Sequence, residues 1–189
     1  IIDDIKITAS MKIINNGYNK MNHPTDSGNV YNGLIGIEIR GRYSASLPQK
    51  PFGIETRDSS GGNLNVSLLD MPKENDWMLL ANYNDKSFVR NALAFKLFRD
   101  MGHWAPRTKL CEVIVNNEYL GIYNLTEKIK VDKNRINIDK LGTFHNSGDE
   151  LTGGYVFSID YYNESDSWKG SYPPPGYPNK EIFFVYNFP

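Results

Sequence analysis

The residues of this 189-residue chain best suited to chemistry are bunched between two apolar stretches: Arg40, Gly41, Ser44 and Lys50. A guanidinium makes paired hydrogen bonds to an oxyanion, and a glycine lets the backbone approach it closely. The Ser44 hydroxyl and the Lys50 ammonium add donors, with Lys50 as the candidate lysine for a phosphate contact. The same residues also read as a structural turn at Gly41 and a solvated strand end at Lys50, since short motifs arise by chance. Farther on, Glu127 closes an apolar run. There it can pair with Lys50 or Arg90, face a ligand, or form a surface pair with Lys128 worth little. Arg90 and Asn91 sit among apolar neighbours and so call for specific partners. For Arg90 a structural ion pair with Glu55 or Glu127 is preferred over ligand contact.

Other chemistries are poorly supported. His23, His103 and His145 are far apart and lack metal-ligand spacing, so they suggest neither a metal site nor a Ser-His-Asp arrangement. Cys111 is the single cysteine and lies in the run Leu110–Val115, which suits an inert core thiol. The basic stretch Lys128–Arg135 is interrupted by Asp132 and has no interleaved aromatics. With a net charge of −1, it reads as a solvated hinge rather than a nucleic-acid surface. No apolar run approaches the roughly 18 residues a membrane-spanning helix needs.

The elements that must position these residues follow from periodicity. Ile5, Ile7, Ala9, Met11 and Ile13 alternate with polar residues, which predicts a half-buried strand. Further strands are predicted over 34–40, 52–56, 109–115 and 119–126, the last two joined as a hairpin at Asn116-Asn117. Trp77-Met78-Leu79-Leu80 is a compact apolar patch. Between Asp85 as N-cap and Gly102 as stop, apolar residues cover almost the whole helical circumference, which predicts a helix buried on several sides. Pro-rich residues 172–178 read as an extended linker. The apolar strand at Ile182–Tyr186 needs a pairing partner.

Several blocks carry a resemblance. Ile37-Glu38-Ile39-Arg40-Gly41 is followed by Pro48-Gln49-Lys50-Pro51-Phe52-Gly53, Met71-Pro72-Lys73-Glu74-Asn75-Asp76-Trp77 and Leu80-Ala81-Asn82-Tyr83-Asn84-Asp85. Then come Arg90-Asn91-Ala92, Ala105-Pro106-Arg107, Glu118-Tyr119-Leu120-Gly121, Thr126-Glu127-Lys128-Ile129, Asp132-Lys133-Asn134-Arg135 and Gly153-Gly154-Tyr155. In this order they resemble the CotH kinase family, spore-coat-protein-H-like atypical protein kinases. The resemblance implies an α+β, kinase small-lobe-like domain over 1–142: a mainly antiparallel sheet packed on one buried helix. Residues 143–189 would then be the loop-rich, truncated start of a following lobe.

It further implies ATP with Mg or Mn as cofactors and transfer of phosphate to Ser residues of a partner protein. A cell-surface, secreted or spore-coat setting would go with that. Arg40, Gly41, Ser44, Lys50 and Glu127 would face the nucleotide, with Arg90 and Asn91 in support. The family's two catalytic Asp residues follow the Gly-Gly-Tyr block, and no matching segment lies between Tyr155 and Pro189. No catalytic residue is therefore expected in this chain, and those residues are expected downstream of it. The pattern is broken where Gln49 replaces a Lys, Pro51 a Ser, and Arg42-Tyr43 small polar residues. These departures leave a second reading, a non-catalytic kinase-like module for surface or coat assembly.

Overall fold

The computed structural model describes residues 1–2, 5–162 and 164–188. They form two compact units, Ile1–Lys130 and the residues from Val131 onward.

The first unit is a six-stranded sheet in which every neighbouring pair is antiparallel. Its strands are β1 (Ile7–Ile13), β2 (Tyr31–Ile39), β3 (Phe52–Arg57), β4 (Asp76–Ala81), β5 (Thr108–Val115) and β6 (Glu118–Glu127), with the one-turn helix α1 (Tyr43–Ser46) between β2 and β3. They lie in the order β1-β2-β3-β4-β6-β5. The predicted strands all form. The patch at Trp77–Leu80 is the element that periodicity did not resolve: it lies in β4, between β3 and β6. Trp77, Met78 and Leu79 are all buried although they point alternately to opposite faces. A strand covered on both sides loses the alternation that identifies one covered on a single side.

The β5–β6 hairpin turns at Asn116 and Asn117, both with positive φ (50° and 65°). Two-residue hairpin turns favour that conformation because its twist matches the flanking strands, and Asn tolerates it.

One face of the sheet carries the core. Ile35, Ile37, Phe52, Ile54, Trp77, Leu79, Tyr123 and Leu125 share it with Leu68 and Met71. Those last two come from the connection between β3 and β4 and are almost wholly buried.

The buried helix is corrected by the structure. Helix α2 spans Arg90–Asp100 rather than starting at Asp85, and none of its residues is buried. Leu93 and Leu97 remain 53% and 54% exposed. Leu68 and Met71 occupy the core, so the sheet does not need the helix as a lid. The start shifts because the Asp85 carboxylate accepts from the Ser87 and Arg90 backbone N–H groups at 3.1 and 3.0 Å, forming a capped turn first. Phe88 within that turn has φ 60°, which no helix accommodates. Gly102 does stop the helix: at φ +88° it donates to the Arg99 carbonyl, while the His103 N–H reaches back to Phe98.

The second unit contains α3 (Asp149–Thr152) and a three-stranded antiparallel sheet. Its strands are β7 (Val156–Asp160), β8 (Ser167–Lys169) and β9 (Phe183–Phe188), with β9 in the middle. The apolar strand near the end of the chain thus has partners on both sides. The Pro-rich stretch is a tight turn rather than an extended linker. Gly176 has φ +80° and the Tyr177 N–H bonds to the Pro174 carbonyl at 3.0 Å.

Candidate functional site

The face of the first sheet opposite the core is polar, and its cross-strand register assembles a site. Glu38 on β2 stands beside Gly53 on β3, which stands beside Met78 on β4. Two residues along, Glu55 pairs with Asp76. Gly53 adds no side chain at the centre of this face, and the Glu38 side chain lies over it. A Cβ there would lie 2.8 Å from Glu38 Oε1. The result is a cleft of about 240 Å³ lined by the side chains of Lys6, Glu38, Arg40, Asp76, Met78 and Lys128, with Gly41 and Gly53.

The charges around this cleft fall into two groups. One is a closed ionic network. Lys6 bonds to Glu55 at 2.9 Å and approaches Asp76 at 3.8 Å, and Arg57 holds the other oxygen of Glu55 at 3.0 Å. Lys130 bridges Glu74 and Asp76, each at 2.7 Å. Burial pushes the Asp76 carboxyl up, but the Lys130 hydrogen bond and the charges of Lys128, Lys130 and Lys6 outweigh it, so its pKa falls below the ordinary value. Glu55 is lowered in the same way by Lys6 and Arg57 against burial. Lys6 and Lys130 are raised, their carboxylate partners outweighing burial.

The other group, Arg40 and Lys128, makes no contact-distance ion pair among the described residues, although the Lys128 charge acts on Asp76 at longer range. Arg40 packs its Nη1 against Met78 Sδ, and Glu38 is the carboxylate that acts on it at longer range. Burial pulls its pKa down, the mark of a desolvated cation. Neither Arg40 nor the exposed Lys128 makes an ion pair among the described residues.

The pH dependence follows from these shifts. The depressed Glu55 and Asp76 add stability that is fully present above their unfolded pKa values and is lost as pH falls through the folded ones. The raised Lys6 and Lys130 add stability that is present below the lysine range and lost above it. Thermal melts from pH 2 to pH 11, roughly the span between these ranges, should show a plateau with a fall at each end. Lys130→Met should flatten both limbs; melts that keep the wild-type shape would assign the pH dependence elsewhere.

The sequence-predicted residues divide. Arg40 and Gly41 line the cleft. Gly41 has φ +85°, and a Cβ on it would collide with Ser44 Oγ, so the tight loop into α1 requires glycine. Lys50 is not among the cleft residues. It donates to the Ala45 carbonyl at 2.7 Å, stitching the Arg40–Pro51 loop together. Gln49, at the family's Lys position, donates to the carbonyls of Leu120 and Ile122 on β6.

Glu127 is fully buried and faces neither Lys50 nor Arg90. Its carboxylate takes the Arg107 backbone N–H at 2.8 Å and Arg107 Nη1 at 3.0 Å. It pairs across the sheet with Trp77, on the core face. Arg90 is not paired with Glu55 or Glu127 either. It is exposed at the start of α2 and lies 3.5 Å from Asp85, the carboxylate that caps the preceding turn. Asn91 is exposed in the same first turn.

Sequence reasoning missed Lys6, Glu38, Asp76 and Lys128 as members of one site. Each lay in a segment already singled out. Only the strand register showed that they share one face.

Phosphate groups fit the basic side of this cleft, since a desolvated guanidinium and an exposed lysine suit an oxyanion, while the Glu38 carboxylate lies over Gly53. Among the described residues no group of three or more His, Cys, Asp or Glu side chains is placed to hold a metal. Cys111 is no rival centre, because burial pushes its thiol up to about 11.

No curated protein matches the chain. A family model described as CotH kinase protein matches residues 37–181, a span that takes in Glu38, Arg40, Gly41, Gly53, Asp76 and Lys128. The chain belongs to the CotH kinase family.

Proposed function

We propose that this cleft receives the phosphates of ATP and that the chain serves a protein Ser kinase as its nucleotide-binding part. The observation that carries this reading is Arg40, a desolvated guanidinium at a cleft wall with no carboxylate paired to it. A half-buried cation without a partner is costly, and an oxyanion that makes two parallel hydrogen bonds to it removes the cost. Gly41 adds a close backbone approach, and Lys128 adds charge from the opposite wall. ATP supplies the γ-phosphoryl group. The residues of this chain bind and orient it, which is most of what phosphoryl transfer asks of a protein. The carboxylates that orient the acceptor hydroxyl and hold Mg or Mn are not assigned to the described residues. A Ser-bearing partner protein at a cell surface or spore coat is the acceptor this reading implies.

A second reading is favoured by Gln49 and Lys50, both committed to backbone carbonyls. In it the fold is kept for assembly and the cleft is idle. Calorimetric titration with ATP separates the two, because the assembly module gives no binding heat. Gly53→Val sharpens the comparison. A strand tolerates valine, Glu38 can swing aside, and the added branches fill the cleft floor. ATP affinity should fall about tenfold with the melting temperature nearly unchanged. Equal affinity in the variant would place the ligand away from this floor.

A further inference from the structure

We infer that Lys6 is a specificity-determining residue of this cleft: it turns a lining of balanced charge into one that favours anions. The inference rests on the phosphate reading above. Residue 6 precedes the span 37–181 that the family model matches, so nothing in the match assigns it a role.

The geometry does. Lys6 stands immediately before β1, at the edge of the sheet. Its ammonium crosses β2 to reach Glu55 on β3 at 2.9 Å and Asp76 on β4 at 3.8 Å. One lysine therefore spans four strands along one side of the Gly53 floor. Among the described residues the side chains lining the cleft are Lys6, Arg40 and Lys128 against Glu38 and Asp76, a surplus of one positive charge (three minus two). Without Lys6 the lining is neutral (two minus two) and Glu55 behind it is less well screened. A polyphosphate entering such a cleft would meet Glu38 and Asp76 with Arg40 and Lys128 alone among the lining cations, Lys130 holding Asp76 from behind. At these separations one unit charge decides whether an anion is drawn in or turned away. Glu55 fixes where the Lys6 charge sits through the 2.9 Å hydrogen bond, and Asp76, held from its other side by Lys130 at 2.7 Å, adds attraction at 3.8 Å.

Isothermal titration of the 189-residue chain with inorganic tripolyphosphate tests this, with melts recorded for every variant. Lys6→Met should weaken binding about tenfold at low salt, and the gap should narrow as salt is raised. Lys6→Arg should stay near wild type. The double variant Lys6→Met/Asp76→Asn restores the lining surplus and should recover most of the lost affinity, although it removes more of the ionic network. A purely structural lysine would give the reverse: the double variant would bind no better than the single one.

Asp76→Asn alone should bind more tightly than wild type. It carries the test if Lys6→Met is too unstable to titrate, and unchanged or weaker binding would overturn the inference. Arg40→Ala separates the two claims. Weak binding there with wild-type binding in Lys6→Met defeats the role of Lys6 and leaves the phosphate site standing. Wild-type protein that binds no tripolyphosphate defeats both.

Discussion

Arg40→Ala should weaken ATP binding by about a hundredfold while leaving the melting temperature unchanged or slightly higher. A charge-assisted hydrogen bond to an ionised partner contributes about 1.5–3 kcal/mol, and a bidentate pair lies at the upper end. Each 1.4 kcal/mol or so is a factor of ten in affinity. Stability should move the other way, because Arg40 is desolvated without a paired carboxylate and its removal relieves that burden. Arg40→Lys should fall between the two, since an ammonium keeps the charge but cannot make the planar two-point contact. The decisive data are ATP titrations and melts on the same three samples. A variant that loses stability and affinity together would make Arg40 a structural residue. Unchanged affinity would move the phosphates elsewhere.

Glu127→Ala should cost about 3 kcal/mol of folding free energy, measured by urea unfolding. Glu127 is completely buried on the core face, and its carboxylate satisfies both the backbone N–H and the guanidinium of Arg107. Truncation leaves a cavity beside Trp77 and takes the acceptor from an N–H at the start of β5. Glu127→Gln retains an acceptor of nearly the same shape and should cost roughly a third as much. ATP affinity, measured under conditions where each variant is folded, should change little in either. The opposite split, with stability kept and affinity lost, would return Glu127 to the ligand and show that the Arg107 pair is incidental.

How much of this could be read in advance depended on the range of the interaction. Strand alternation is local, so Ile7–Ile13 and Ile35–Ile39 were legible, as was the hairpin at Asn116-Asn117, where turn chemistry is carried by two residues. Gly102 as a helix stop and Asp85 as a cap were legible for the same reason, although Asp85 caps a turn that precedes the helix. The strand at Trp77–Leu80 was not, because burial on both faces erases the alternation.

The apolar girth of α2 misled more instructively. A sequence reports that Leu93 and Leu97 are hydrophobic, but which segment covers the core is a competition among distant parts of the chain. Leu68 and Met71 won that competition from a connection with no periodicity.

The site divides along the same line. By itself the sequence determined the family, through ordered blocks between residues 37 and 181, and it picked out Arg40 and Gly41, which line the cleft. Only the tertiary structure decided that Lys6, Glu38, Asp76 and Lys128 surround the same floor, that Lys50 donates to the Ala45 carbonyl and that Glu127 is buried against Arg107. A side chain's face is set by strand parity. Its neighbours are set by register across four or five strands, and no local pattern of residues encodes that register.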